Sequence, residues 1–427
     1  MNISRMVRAL AFATMLVPTL AAAAGYGIYE QGAAAIGMGG AYVASAHDAS
    51  AQFYNPAAML GLKDKELSLG GTWLTTRTSF AGIAPSPGYG VTEEMKSGNF
   101  FPPTFYWTNR LSPTLAYGVG LNAPFGLGVE WQNPSTFTGR ERVTKAQLQS
   151  IDGSFSLALA VNPNLWVAAG ANARFAKVEL NNIATSIVGG GGAPVNVSSA
   201  KLTSDYTPGY GFHLGLLAKP APNVRLGANY RSEIRVKIDD GKAAFTQILT
   251  GNAALDAAVA AGLPANQGVK TELVFPASYT VGLAWDPAPE WTYEVDGVFT
   301  QWSAFDKLTL TFPAQSSLDK VLQEDYRNQA AVRVGVEHRL ESYTYRFGYY
   351  FDAAAAPPES VTPLLPDASR HGVTLGYGKT FGSWTLDAYN LFLFVEKRST
   401  EGVERDNYNG TYKSYVNALG ANLAYHW

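Results

Sequence analysis

The sequence predicts an all-β fold: a 14-stranded antiparallel transmembrane β-barrel with an N-terminal hatch, or plug, inside the lumen. Three observations carry that prediction. After the first 24 residues no run of about 20 apolar residues occurs, which excludes membrane-spanning helices. Segments in which apolar and polar side chains alternate with period two recur along the chain, with long charged side chains gathered on one face. The chain also ends inside such a segment, on Trp427.

Composition agrees. Charged residues make up 15% of the 427, against about 25% in a soluble domain. The difference is filled by 23 Tyr, 21 Phe, 9 Trp and 43 Gly. A net charge of −2 gives no electrostatic reason to expect nucleic acid as a partner. The absence of cysteine excludes a thiolate nucleophile, a Cys-based metal site and a disulfide framework. No cofactor and no metal are expected.

At the N-terminus Arg5 and Arg8 precede the run "ALAFATMLVPTLAAAA", and small residues follow. That is the order of a secretory signal peptide, taken as residues 1–23 with cleavage after Ala23 or Ala24. Pro18 argues against the alternative, a retained membrane anchor.

The strands follow. In "NVRLGANYRSEIRVKI" one face carries Val224, Leu226, Ala228, Tyr230, Ile234, Val236 and Ile238, and the other carries Arg225, Asn229, Arg231, Glu233, Arg235 and Lys237. In "RNQAAVRVGVEHRL" Val332, Val334, Val336 and Leu340 oppose Arg327, Arg333, Glu337 and Arg339. A lipid-facing exterior and a wet, charged lumen produce this pattern. Fourteen such segments are expected near 66–80, 100–110, 114–123, 142–161, 165–181, 206–219, 223–237, 269–286, 290–311, 327–340, 342–352, 371–381, 383–397 and 412–427. Tight turns ("NPN", "APN", "PAPE", "LES") alternate with long loops, as they do between the periplasmic and outer rims of a barrel. In the last strand Trp427, Tyr425, Leu423, Ala421 and Leu419 share one face. The expected location is the bacterial outer membrane, among lipid and lipopolysaccharide, as a monomer.

Residues 24–60 precede the first strand. "GAAAIGMGGAYVASAHDASAQFYNPAAM" is too rich in Gly and Ala for a good helix, lacks strand alternation and is too apolar for a solvated tail. Irregular backbone cannot face lipid but can be buried within protein at membrane depth. A hatch over 24–60 and a barrel over 61–427 are therefore expected, with Asp48, Gln52 and Asn55 bonding to inward charges.

That segment resembles the N-terminal hatch of the FadL family of outer-membrane transporters for long-chain fatty acids and other hydrophobic compounds. The matching positions are Gly37, Gly39, Ala41, Tyr42, Asp48, Ala49 and Asn55-Pro56-Ala57. "NYRSEIRVKI", "FTQWSAFDKL" and "LLPDASRHGVTLGYGKTF" are similar to later strands of the same family. The resemblance implies passive uptake of a hydrophobic molecule: capture at the outer loops, an internal pocket, a shift of the hatch and sideways release through a gap. Long-chain fatty acids are the leading substrate, with aromatic or alkane hydrocarbons as the alternative and a general diffusion porin as a third reading.

The family's third strand is kinked at the place matched by Phe125-Gly126, which puts a lateral gap at Pro124, Phe125 and Gly126. The glycines and proline of "YGVGLNAPFGLGVEW" fit a bend, and equally an ordinary strand ending in a turn. For a substrate carboxylate the candidates are Arg174, placed inward by alternation, and Lys307 after "QWSAF". Phe245, Ile248 and Leu249 have helical spacing with Leu255, Val259 and Leu263, which suits a capture groove on an outer loop or packing on the rim. Asn55-Pro56-Ala57 is expected to form a rigid turn against the kinked third strand near Phe125 and Gly126. Gly37, Gly39 and Gly40 are expected to supply a flexible arm beside it. No enzymatic motif is present, the five histidines are scattered, and a lipase would need a Ser–His pair within reach.

Overall fold

The computed structural model describes residues 25–62, 65–187 and 193–427; the expected signal peptide lies outside them. Fourteen antiparallel strands form the wall. They are β1 (Lys65–Gly82), β2 (Pro103–Ser112), β3 (Leu115–Asn122), β4 (Lys145–Asn162), β5 (Leu165–Ile187), β6 (Thr207–Ala221) and β7 (Val224–Arg231). The second half comprises β8 (Ser278–Ala288), β9 (Trp291–Thr300), β10 (Gln329–Leu340), β11 (Tyr343–Asp352), β12 (Arg370–Phe381), β13 (Trp384–Val395) and β14 (Gly410–His426). Each pairs with the next, and β14 pairs with β1 from Glu66 opposite His426 to Gly82 opposite Gly410, which closes the ring. Closure removes the sheet edges, so the wall leaves no unpaired row of backbone groups towards lipid.

Side chains alternate as the two environments demand. Phe155, Leu157 and Leu159 on β4 and Val332 and Val334 on β10 are exposed on the outer face, while Ser154, Ser156, Arg333 and Glu337 between them are buried inside. The final strand follows suit, with Leu419 and Leu423 outside and Asn422 inside.

One expected face is broken. Leu226 points outward, but Ile234, Val236 and Ile238 are buried, and Arg235 and Lys237 are exposed. Ser232 and Glu233 leave the ladder between β7 and its continuation Ile234–Gln247, and Pro276 and Ala277 do the same between Gln267–Phe275 and β8. Both neighbours therefore switch faces at one level. The segment expected over 290–311 also divides: β9 ends at Thr300, and Lys307–Leu310 pairs instead with Lys320–Gln323 in a separate small sheet.

Residues 25–62 fill the lumen and are almost wholly buried. They contain only short helical turns, Ala33–Gly37, Ala51–Tyr54 and Pro56–Gly61, so most of their backbone must find partners on the wall. Asp296 Oδ2 accepts from the amides of Tyr42 (2.9 Å) and Val43 (3.1 Å), Glu294 from Ala44 (2.7 Å), Glu66 from Ala49 (2.8 Å) and Asn422 from Ala33 (2.8 Å). Wall carboxylates and amides thus serve plug backbone, the reverse of the expected bonding by plug side chains. Of the three named for that role, Gln52 donates to Ser154 on the wall (3.2 Å), whereas Asp48 accepts from neighbouring Ser50 and Asn55 reaches backbone carbonyls.

Candidate functional site

The third strand is interrupted where the sequence places Pro124. β3 pairs with β4 up to Asn122, and pairing resumes over Gly126–Glu130. Between them the chain bonds to the plug. Ala123 exchanges hydrogen bonds with the Gln31 side chain (3.0 and 3.2 Å), the Ile28 amide donates to the Pro124 carbonyl (2.8 Å), and the Gly126 amide donates to the Tyr26 carbonyl (3.0 Å). Proline has no amide hydrogen to lose from the ladder, so the break is cheap there. On the other side the pairing of β2 with β3 goes no further than Phe105 opposite Leu121. The result is a cavity of about 570 Å³ beside the break, bordered by Leu74, Thr76, Phe101, Pro103, Gly126 and Leu127.

Tyr26 lies between this cavity and a smaller outer one, and the rings of Phe125 and Trp302 on which it packs line a third. Its ring packs on Phe125, Phe275, Trp302 and Phe305 at centroid distances of 4.9–6.1 Å, and its hydroxyl donates to the Val274 carbonyl (2.6 Å). On the outer side lies an apolar pocket of about 110 Å³ among Leu202, Ile238, Val269, Leu273 and Leu310. Glu324 borders it, and burial pushes that carboxyl up to about 8. On the inner side a second pocket of about 110 Å³ is lined by Arg174, Arg231, Arg333 and Arg370, together with Asn172, Asn229 and Phe53.

The structure sorts the expected residues. Pro124, Phe125 and Gly126 form the break itself. Arg174 points inward into the polar pocket, yet both arms of its guanidinium are given to Asp152 (2.7 and 2.6 Å), and it stacks between Phe125 and Phe275. Lys307 does not reach the lumen: it is exposed in the small outer sheet, opposite Gln323, because the chain leaves the wall at Trp302–Ala304. Phe245 is strand rather than helix and packs towards Phe312, Ile248 is tied by its amide to the Val197 carbonyl, and Leu249 is exposed. The outer helix is Ala253–Gly262 and buries no residue, so the apolar pocket is built from strand extensions and not from that loop.

Asn55-Pro56-Ala57 forms a turn, but against β6. Asn55 Nδ2 donates to Val43 O (2.7 Å) and Leu216 O (2.9 Å), and its Oδ1 accepts from the Ala57 amide (3.2 Å). Residues 26–31, not this turn, meet Phe125. Gly37, Gly39 and Gly40 are close-packed instead of free. A Cβ on Gly37 would lie 3.0 Å from the Gly376 Cα, and Gly39 (φ +66°) and Gly40 (φ +77°) occupy the left-handed region.

The profile of the OMPP1/FadL/TodX family of outer membrane protein transport proteins matches residues 14–427. The chain belongs to this family. It is accordingly an outer-membrane β-barrel of the FadL type, with hydrophobic compounds as the class of cargo. The long-chain fatty acid transport protein of Escherichia coli O157:H7 is 24% identical over 402 residues, covering 86% of this chain and 87% of the relative. Outer membrane protein P1 of Haemophilus influenzae (strain Rd) is 26% identical over 450 residues, covering 91% and 92%. A Pseudomonas aeruginosa FadL homologue superposes with a TM-score of 0.82 at 20% identity, over 94% of this chain and 99% of that one.

The family's shared fold gives the missed residues a context. The outer pocket was readable from length: Val224–Arg231 and Ile234–Gln247 together far exceed the roughly 10 residues a strand needs to cross a bilayer. A Ser–His pair is also present, since Ser156 Oγ lies 2.5 Å from His213 Nε2 and the far ring nitrogen meets Asn172. Ser156 and His213 are fully buried and border none of the three cavities.

Proposed function

We propose that the protein takes up long-chain fatty acids or similar hydrophobic molecules by passive diffusion across the outer membrane. The molecule enters the apolar outer pocket, passes the Tyr26 cluster into the lumen, and leaves sideways through the break in β3 once residues 25–31 shift. The observation that carries this reading is that plug residues 26–31 replace the missing ladder of the third strand, so plug position and wall opening are one structural variable. Such a lateral route delivers cargo into the bilayer without crossing the plug, and no energy source is needed.

A second reading, uptake of neutral aromatic hydrocarbons, is favoured by the apolar lining of the outer pocket. A toluene transporter of Pseudomonas putida, TodX, shares the fold (TM-score 0.71). A general diffusion porin is disfavoured by the filled lumen.

The test is uptake of radiolabelled fatty acid and of toluene by cells lacking other such transporters. A variant lacking Pro124, which leaves two residues opposite Ile151 and Ser150 and so lets the ladder run on from Asn122 to Gly126, should lose uptake while its barrel still assembles. Unchanged uptake by that variant would overturn the lateral route.

A further inference from the structure

The exterior of β13, β14 and β1 shows where hydrocarbon ends. On β14 Tyr425 packs on the exposed Trp384 and Trp427, and Leu423, Leu419 and Tyr415 follow it on the outer face. Tyr425 and Tyr415 stand ten residues apart. At about 3.3 Å per residue and a tilt of about 40° that is a height of about 25 Å, the apolar band of an outer-membrane barrel. Tyr415 and the exposed Phe394, directly across the ladder on β13, therefore form the outer aromatic girdle.

Cations stand at and just beyond that girdle. Arg77 faces Tyr415 across the ladder, Lys413 lies two residues further out, and Lys397 follows the end of β13. All three are exposed, and among the described residues none makes an ion pair. Half a turn round the wall the outward cations are spent: Arg235 holds Glu233 (2.7 Å) and Glu272 (2.8 Å), and Lys237 lies 3.9 Å from Glu272. Lys397 and Lys413 border an outward hollow of about 730 Å³, with the hydroxyls of Ser79, Thr92 and Thr411 around them. Its two carboxylates are engaged, Glu93 by Thr138 (2.7 Å) and Tyr408 (3.0 Å) and Glu94 by Gln132 (3.2 Å). Unpaired cations at the edge of hydrocarbon attract an anion that is itself anchored there.

We propose that this hollow is a binding site for the phosphorylated glycolipid of the outer leaflet, lipopolysaccharide. Lys397 and Lys413 take a sugar phosphate, with Arg77 beneath them. The hydroxyls of Ser79, Thr92 and Thr411 meet the sugar, and the acyl chains descend over Phe394 and Tyr415. The site lies on the outside of the wall and is independent of which molecule the lumen transports.

Native mass spectrometry of the detergent-purified barrel, titrated with bisphosphorylated lipid A, tests this. The wild type should bind lipid A more tightly than dephosphorylated lipid A or phosphatidylglycerol. Lys397→Gln/Lys413→Gln should weaken lipid A binding about fivefold per cation removed, and move the dephosphorylated form less than about twofold. Arg235→Gln/Lys237→Gln, on the far side, should change neither. Glu94→Gln, which removes a carboxylate from the hollow, should tighten lipid A binding, and it decides the matter if the lysine variant does not assemble. Wild-type affinity in the assembled lysine variant or in Glu94→Gln overturns the site, as does equal loss in the far-side variant. Equal binding of dephosphorylated lipid A overturns the phosphate contact, and equal binding of phosphatidylglycerol overturns the choice of glycolipid.

Discussion

Gly348 on β11 lies so close to Gly39 of the plug that a Cβ on Gly348 would come within 1.9 Å of the Gly39 amide nitrogen. Neither neighbour can yield cheaply, since both contacts are backbone. Gly348→Ala should therefore lift the plug from the wall while the strand ladder stays intact. The expected outcome is a heat-modifiable, assembled barrel with raised ion conductance in planar bilayers, approaching that of a variant lacking residues 25–60. Unchanged low conductance would show that the plug re-seats around the methyl group.

Asn55→Ala removes two donated bonds and one accepted bond at a fully buried position. The stranded Val43 and Leu216 carbonyls make a loss of about 1–3 kcal/mol in plug docking reasonable. Uptake should fall with the barrel assembled, as measured by accumulation of labelled fatty acid. Normal uptake would make the turn a purely local cap.

Removing Arg174 should act on stability. Arg174→Ala leaves Asp152 as a buried, uncompensated charge, which costs about 3–5 kcal/mol in comparable cases. The double variant Arg174→Ala/Asp152→Ala should recover much of that loss. Denaturant unfolding in detergent distinguishes the two; equal stability of the single and double variants would contradict a mutually satisfied pair.

Glu324 supplies a pH dependence on the outer side. Its carboxyl is raised from the ordinary 4.5 to about 8 by burial, with Arg405 opposing and Asp325 and Asp406 reinforcing the shift. The folded protein therefore holds this proton more tightly than the unfolded chain does. Its contribution is complete below about pH 4.5 and is lost as pH rises through 8. The apparent melting temperature should fall over that window, and Glu324→Gln should flatten the fall. A slope unaltered in the variant would assign it to another group.

Fold and membrane location were legible because they depend on period and length, which survive without coordinates. Val332, Arg333 and Val334 announce outside, inside and outside by alternation alone. The break at Pro124 was legible for a related reason, since a residue without an amide hydrogen marks where a ladder can end. Partner choice was not legible. Whether Arg174 meets a substrate or Asp152 depends on register between strands, which a single sequence does not specify. Lys307 misled for a similar reason: the alternation around it continues, but in a different sheet. The level at which Ile234 turns inward was hidden because Ser232 and Glu233 read as ordinary alternating residues.

That switch of faces also fixes how deep the molecule sits. Below Ser232–Glu233 and Pro276–Ala277 the exterior of β7 and β8 carries Leu226, Tyr279, Val281 and Leu283; above it the exterior carries Arg235 and Lys237. Charged side chains are costly in hydrocarbon, so the acyl layer is expected to end near that line. The paired irregularity is a waterline drawn on the hull. An insertion of one residue on either side of it would turn the outward side chains inward and erase that line.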